Sequence, residues 1–203
     1  MVTQASYQAA VEQVRSRLLA IVGARWASLG SYRDADIDRL ARLVVPLVRA
    51  GQVQVANLTA AYFRQVGATA GVDVSVITGG RGVPAAEVYR RPAVTTYTAL
   101  SEGKSVSAAI ALGGDRLASL VSTDLQLAKT YQAERSLRSS GVTAYRRVLT
   151  GRENCALCVI ASTQRYWVGD LMPIHPGCDC GVDTIPRGWG PDRQVIDQDL
   201  LDL

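Results

Sequence analysis

The sequence predicts a mainly α protein, in which a helical N-terminal region is followed by a small α+β module. Three observations support this fold class. Apolar residues recur at intervals of three and four through the first 140 positions, which is the period of amphipathic helices. Beyond Ser140-Gly141 the pattern changes to short stretches typical of strands. All four cysteines and the only histidine lie between Cys155 and Cys180.

Two amphipathic helices are expected at the start of the chain. The first covers residues 3–29, and the second begins near Asp34 or Asp36, whose carboxylates can accept hydrogen bonds from the free N–H groups of a first turn. Their apolar stripes are Val11, Val14, Leu18, Ile21 and Val22, then Ile37, Leu40, Val44, Leu47 and Val48. Each stripe predicts one buried helix face.

A break or kink is expected inside the second helical pattern, because Pro46 has no N–H to donate. Gly51 marks the same interruption. A further helix is predicted over residues 53–66, closed by Gly67. The aromatic residues expected in the core or in helix contacts are Trp26, Tyr62 and Phe63.

Short helices are expected through the middle of the chain. The segment Gly79-Gly-Arg-Gly82 lacks the spacing and the Lys-Ser/Thr pair of a phosphate-binding loop, so we interpret it as a turn. Helices are then predicted from Pro84 to residue 91, from Pro92 to residue 102, and from Ser105 to Gly113-Gly114.

The longest predicted helix covers residues 115–139. Its apolar side carries Leu117, Leu120, Val121, Leu125, Ala128 and Tyr131, and its polar side carries Lys129, Glu134, Arg135 and Arg138. We expect the basic residues near its C-terminal end to complement the helix dipole rather than to contact nucleic acid. A helical docking and assembly region is therefore predicted over residues 1–140.

The second predicted region is the α+β module of residues 141–187. A strand is expected around residues 143–148, helical turns over 155–162, a strand at 165–168 and a final strand at 182–185. Residues 188–203 form an acidic tail, which is interpreted either as a frayed terminus or as a peptide that docks on a partner.

The cysteines and the histidine have the spacing of metal ligands. Cys155 and Cys158 form one pair separated by two residues, and His175 and Cys178 form another, with Cys180 following. Zn²⁺ binds four nitrogen or sulfur ligands in a tetrahedron, and closely spaced pairs suit it. The preferred set is Cys155, Cys158, His175 and Cys178, with Cys180 exchangeable, which predicts a zinc knuckle.

Other interpretations of the cysteines stay open. They can form two disulfides, or be free buried thiols used as small hydrophobes. The N-terminus shows no signal segment, which disfavours an oxidising compartment. A catalytic cysteine with His175 as its base is disfavoured, because every cysteine has a second thiol within three residues and no orienting third group is evident. We favour structural Zn²⁺, because so small a module buries little surface.

The module resembles a known family. The run Tyr145-Arg-Arg-Val148, the Cys155/Cys158 pair and Met172-Pro-Ile-His175-Pro-Gly-Cys178-Asp-Cys180 are similar to the signature of the phage Mu F-like minor head proteins. The matching positions are Cys155, Cys158, Pro173, His175, Pro176, Cys178 and Cys180, and the resemblance covers residues 145–186. It implies a minor structural component of a tailed-phage head, packed near the portal and needed for head morphogenesis.

The leading functional hypothesis is therefore a virion protein and not an enzyme. Its expected partners are the portal protein, the major capsid protein or another copy of the chain. It is expected in the head interior or the head–tail connector region, and in the host cytoplasm during assembly. No apolar run is long enough to cross a bilayer.

Two alternative functions have less support from the sequence. A zinc-containing nucleic-acid-binding protein that meets packaged DNA is not favoured, because the net charge is only +4. In addition, the cysteine region carries Glu153, Asp170, Asp179 and Asp183, which repel phosphate. A head-maturation protease lacks support, because His175 is the only histidine and no separate Ser-His-Asp set can be assembled.

Overall fold

The computed structural model describes residues 2–149, 155–169 and 178–185. The helices are α1 (Gln4–Ala27), α2 (Asp34–Phe63), α3 (Val74–Gly79), α4 (Ala85–Val88), α5 (Arg91–Ser101), α6 (Val106–Ser139) and α7 (Ala156–Ser162), with a 3-10 turn at Arg64–Val66. The strands are β1 (Ala144–Val148), β2 (Arg165–Trp167) and β3 (Gly181–Thr184). The predicted fold class, mainly α with a small α+β module, is confirmed.

The main core lies where α1, α2 and α6 pack on one another, with α5 against α6. Val22, Val44 and Leu117 are fully buried there, as the predicted apolar stripes require. Ile21 departs from its stripe and is 46% exposed. Trp26, Tyr62 and Phe63 are buried, so their assignment to the core is confirmed.

Helix α2 continues through Pro46, so the predicted break is wrong. A proline inside a helix removes one hydrogen bond, but Val44 and Val48 on either side of it are both buried in the core, and this packing holds the helix together. Gly51 is a contact point rather than a boundary. A Cβ there would lie 2.9 Å from Leu18 Cδ2 and 3.2 Å from Leu125 Cδ2, so α1 and α6 approach α2 at this glycine.

Helix α6 begins 9 residues earlier than the sequence pattern indicated and runs through Gly113-Gly114. Ser105 caps it, with its hydroxyl oxygen accepting a hydrogen bond from Ala108 N. The two glycines leave room for the indole of Trp26, whose Nε1 donates to Ile110 O at 3.0 Å. The predicted helix end was wrong because the glycines permit close helix packing here instead of ending the helix.

The turn predicted at Gly79-Gly-Arg-Gly82 is confirmed, and it follows a helix, α3, that the sequence pattern did not reveal. Arg81 from this turn forms an ion pair with Asp124 of α6 and also donates to Leu120 O. The hydroxyl of Tyr89 donates to the same carboxylate at 2.6 Å. The turn is therefore fastened to α6 by a buried carboxylate.

The three strands form an antiparallel sheet in the order β2-β1-β3. Its inner face joins a second core, in which Tyr145 and Val182 of the sheet meet Tyr7, Phe63 and Leu137 of the helices. The sheet therefore shares a core with the helical region that precedes it. In the described parts of the chain, no helix combines the length and apolar character needed to cross a membrane.

The packing at Gly113 makes a prediction about stability. A Cβ at this position would lie 2.5 Å from Trp26 Cζ2 and 2.9 Å from the Pro92 carbonyl oxygen. We expect Gly113→Ala to reduce the free energy of unfolding by roughly 1–3 kcal/mol through overpacking. Urea denaturation measures this change.

The matched control is Gly23→Ala on α1, where a Cβ meets nothing within 4 Å. This substitution should raise the free energy of unfolding by roughly 0.5–1 kcal/mol, because alanine has the higher helix propensity. Equal effects of the two substitutions would contradict the close packing at Gly113.

Candidate metal centre

The first cysteine pair is built by the N-terminus of α7. Cys155 is the N-cap residue, and its Sγ accepts a hydrogen bond from Cys158 N at 3.4 Å. This turn brings the two sulfur atoms to 3.6 Å from each other. Cys158 is fully buried, whereas Cys155 lies at the exposed rim of the site.

The second pair lies immediately before β3. Cys178 and Cys180 are both 2% exposed, and Cys178 Sγ lies 3.8 Å from Cys158 Sγ. The sulfur atoms of Cys158, Cys178 and Cys180 all lie within 4.8 Å of one another. Four cysteines that are separate in the sequence thus meet at one point, where Leu149 packs against them.

The spacing of these sulfur atoms fits a tetrahedral metal ion. A zinc–thiolate bond of about 2.3 Å implies a distance of about 3.8 Å between two sulfurs of the tetrahedron. The observed distances of 3.6 and 3.8 Å agree with this value. A disulfide needs a separation of about 2.05 Å, and all four cysteines are free thiols in the structure. The donor set therefore suits a soft or borderline cation such as Zn²⁺.

A metal ion at this site has to displace protons from buried thiols. Burial raises the pKa of the Cys158 thiol to about 11. The pKa of Cys180 is raised as well, by its hydrogen bond with Cys178 and by burial. These thiols are protonated at neutral pH when no cation is bound. A metal ion that binds them displaces their protons and supplies the positive charge that the buried thiolates need.

Helix α6 holds the second cysteine pair in place. The ammonium of Lys129 donates to the backbone carbonyl of Asp179 at 2.6 Å, and the amide of Gln126 donates to the carbonyl of Cys180 at 3.1 Å. The carboxylate of Asp179 in turn lies 4.0 Å from the guanidinium of Arg15 on α1. Two helices thus contact the short segment that carries Cys178 and Cys180.

Lys129, which the helical pattern places on the polar side of α6, has a buried side chain with 5% exposure. Burial lowers the pKa of Lys129 to about 8, and the carboxylate of Asp179 opposes this shift. The helical pattern of α6 showed an ordinary charged side. The segment that covers this side lies 50 residues further along the chain, and nothing in the local sequence indicates that contact.

Strand β3 continues the docking of this segment onto the helices. The hydroxyl of Tyr62 donates to Asp183 Oδ1 at 2.9 Å, and Arg146 of β1 approaches the same carboxylate at 3.9 Å. A Cβ at Gly181 would meet the amide ends of the Gln8 and Gln4 side chains, so the strand closely approaches α1 at this glycine. The cysteine segment is therefore fixed at both ends by the helical region.

The structure brings together the four predicted cysteine ligands. Cys180, which the sequence left as the exchangeable member, belongs to the buried group with Cys158 and Cys178. His175 lies outside the described residues, so its role as a ligand stays a prediction. A possible metal-binding cluster is therefore shown for the cysteines, whereas the identity of the metal is not shown.

Comparison with known proteins adds no relative. The chain matches no protein-family model, no curated protein and no solved structure. The resemblance to phage Mu F-like minor head proteins therefore rests on the motif alone. The candidate metal centre is supported by the geometry of the cysteine cluster instead.

The sulfur geometry predicts which residues complete the coordination shell. We expect His175→Ala to bind one Co²⁺ ion per chain and to show the absorption of a four-thiolate site. We expect Cys180→Ser to lose most of this affinity, because a thiolate is removed from the tetrahedron. Absorption titration with Co²⁺ measures both variants. The reverse result would instead support the set Cys155, Cys158, His175 and Cys178.

Proposed function

We propose that this chain is a structural protein of a tailed-phage head, in which one metal ion fastens the C-terminal sheet to a helical scaffold. The observation that carries the structural role is the cluster of cysteine sulfurs, in which Cys158, Cys178 and Cys180 lie within 4.8 Å of one another and Cys155 lies 3.6 Å from Cys158. Four thiolates fill the coordination shell of Zn²⁺ and leave no position for water or substrate. Such a centre is suited to structural stabilisation and not to hydrolysis. Zn²⁺ is the metal we favour.

The energetic need for a metal follows from the size of the strands. Strands β1, β2 and β3 have 5, 3 and 4 residues, and α7 has 7 residues. Elements this short bury little apolar surface by themselves. A structural zinc ion contributes on the order of 10 kcal/mol to such a fold. One ion would thus link α7 to the segment preceding β3 and keep both against the helices.

The phage assignment is supported by what the motif residues do. Tyr145 lies in the core shared by sheet and helices, and it stacks on Tyr166 with ring centroids 5.3 Å apart. Cys155, Cys158, Cys178 and Cys180 form the candidate metal centre. The described residues that carry the family resemblance therefore have structural roles, as expected for a minor head protein. The proposed partners are the portal protein, the major capsid protein or a second copy of the chain.

The arginines of β1 give little support to the nucleic-acid alternative. Arg147 is only 7% exposed, and its guanidinium lies 5.5 Å from the centre of the Tyr166 ring. Arg146 approaches Asp183 within the sheet. These cations are engaged inside the protein, whereas phosphate binding needs cations on an accessible surface. We therefore place virion structure ahead of DNA binding.

The structural role of the metal is tested by removing it. The purified chain should contain about one zinc ion, and a strong chelator should expose residues 141–203 to protease while α1, α2 and α6 remain protected. The reason is that the short strands lose the link that holds α7 to β3. Elemental analysis and limited proteolysis with mass spectrometry measure this. Unchanged protection in metal-free protein would contradict the proposal.

The phage role needs a separate test in particles. Heads purified from the phage or prophage that encodes this chain should contain it, as detected by mass spectrometry. A Cys158→Ser/Cys178→Ser double variant should be incorporated less, because the metal centre is lost. Gly23→Ala is the matched control and should be incorporated normally. Absence of the wild-type chain from heads, despite its presence in the lysate, would contradict the virion assignment.

A further inference from the structure

We infer that Lys129 is a positioning residue that couples metal binding to the helical bundle, by balancing the charge of the metal–thiolate centre. This inference rests on the proposed metal centre. It concerns an interaction by which α6 stabilises the occupied centre. The cysteine motif itself does not specify this interaction.

The ammonium group of Lys129 lies against the segment that carries two candidate ligands. Lys129 lies within α6, and its Nζ donates to the carbonyl of Asp179, the residue between Cys178 and Cys180. The side chain is buried, so the segment that carries these two ligands covers the ammonium group. Any charge that develops on the two sulfurs therefore develops beside a cation that is shielded from water.

The net charge of the cysteine site changes when a metal ion binds. The acidic groups that act on Lys129 are Asp179, Cys178, Cys180 and Glu12, while Arg15 lies beside Asp179. With protonated thiols, the two basic residues match the two carboxylates. Zn²⁺ with four thiolates carries a net charge of −2, and with three thiolates and one imidazole it carries −1. The occupied centre therefore adds negative charge that a buried cation stabilises.

Gln126 on the same helix can be compared with Lys129. Gln126 lies about one turn before Lys129 and donates to the carbonyl of Cys180 with a neutral amide. A neutral donor is thus sufficient to hold this segment by a backbone hydrogen bond. Burying an ammonium group costs free energy that a neutral donor avoids. The charge of Lys129, which the hydrogen bond alone does not require, interacts with the carboxylate of Asp179 and with the sulfurs of Cys178 and Cys180.

The test measures metal affinity and stability in the full chain. Lys129→Met should weaken Zn²⁺ binding by roughly 10–100-fold in competition with a chelator, as changes next to metal ligands do. The melting temperature of Lys129→Met should fall further below that of the wild type in the metal-bound form than in the metal-free form, because the ammonium group faces more negative charge when the thiolates are present. Gln126→Met is the matched control, and it should lose clearly less affinity because it removes a hydrogen bond without a charge.

A second variant keeps a hydrogen-bond donor and removes the charge. Lys129→Gln places at this position the kind of neutral donor that Gln126 supplies about one turn earlier. It should weaken Zn²⁺ binding about as much as Lys129→Met, since both variants lack the ammonium charge. This variant keeps a donor for the Asp179 carbonyl and so provides the test even if Lys129→Met does not fold.

The outcomes separate this inference from the proposed function. Unchanged affinity in Lys129→Met, or wild-type affinity in Lys129→Gln, overturns the role of Lys129. An equal loss of melting temperature in metal-free and metal-bound Lys129→Met shows a purely structural role and also overturns it. A wild-type chain that binds no metal overturns the proposed centre, and the inference fails with it.

Discussion

The contact between α6 and the segment from Cys178 to Cys180 is the constraint on which the C-terminal part of this structure depends. Lys129 and Gln126 hold two successive carbonyls of that segment, and the segment leads directly into β3. Without these hydrogen bonds, Cys178 and Cys180 would have no fixed position relative to α7. The cysteine site is therefore built jointly by the local motif and by a helix that contributes no ligand.

Helix α6 can contact the cysteine segment while it packs in the main core, because it is continuous over 34 residues. Near its start, Gly113-Gly114 pack against Trp26, and further along Asp124 receives Arg81 and Tyr89. Lys129 follows, and then Leu137 packs under the sheet. One rigid element thus contacts the main core, the turn after α3 and the cysteine segment.

The sequence predicted those features that depend on local pattern. The apolar stripes, the Ser105 cap and the meeting of the cysteines follow from periodicity, side-chain chemistry and spacing, which act over a few residues. The predictions failed at Pro46 and at Gly113, where packing between distant helices decides the outcome. The burial of Lys129 could not be predicted for the same reason, since its partner Asp179 lies in a segment that no helical pattern connects to it. His175 lies outside the described residues, so the full ligand set stays a prediction.

The burial of Lys129 connects the stability of the helical bundle with the proposed binding of a metal ion. A helical bundle that required only stability would gain from an apolar side chain at this position, because a desolvated ammonium group costs free energy. The cost is offset when the cysteine segment covers the ammonium group and its thiols become thiolates around a metal ion. The helical region then gains most from its lysine in the metal-bound form. In the proposed metal-bound form, the thiolates place negative charge near the cation of α6, so metal binding and the packing of this helix would be coupled.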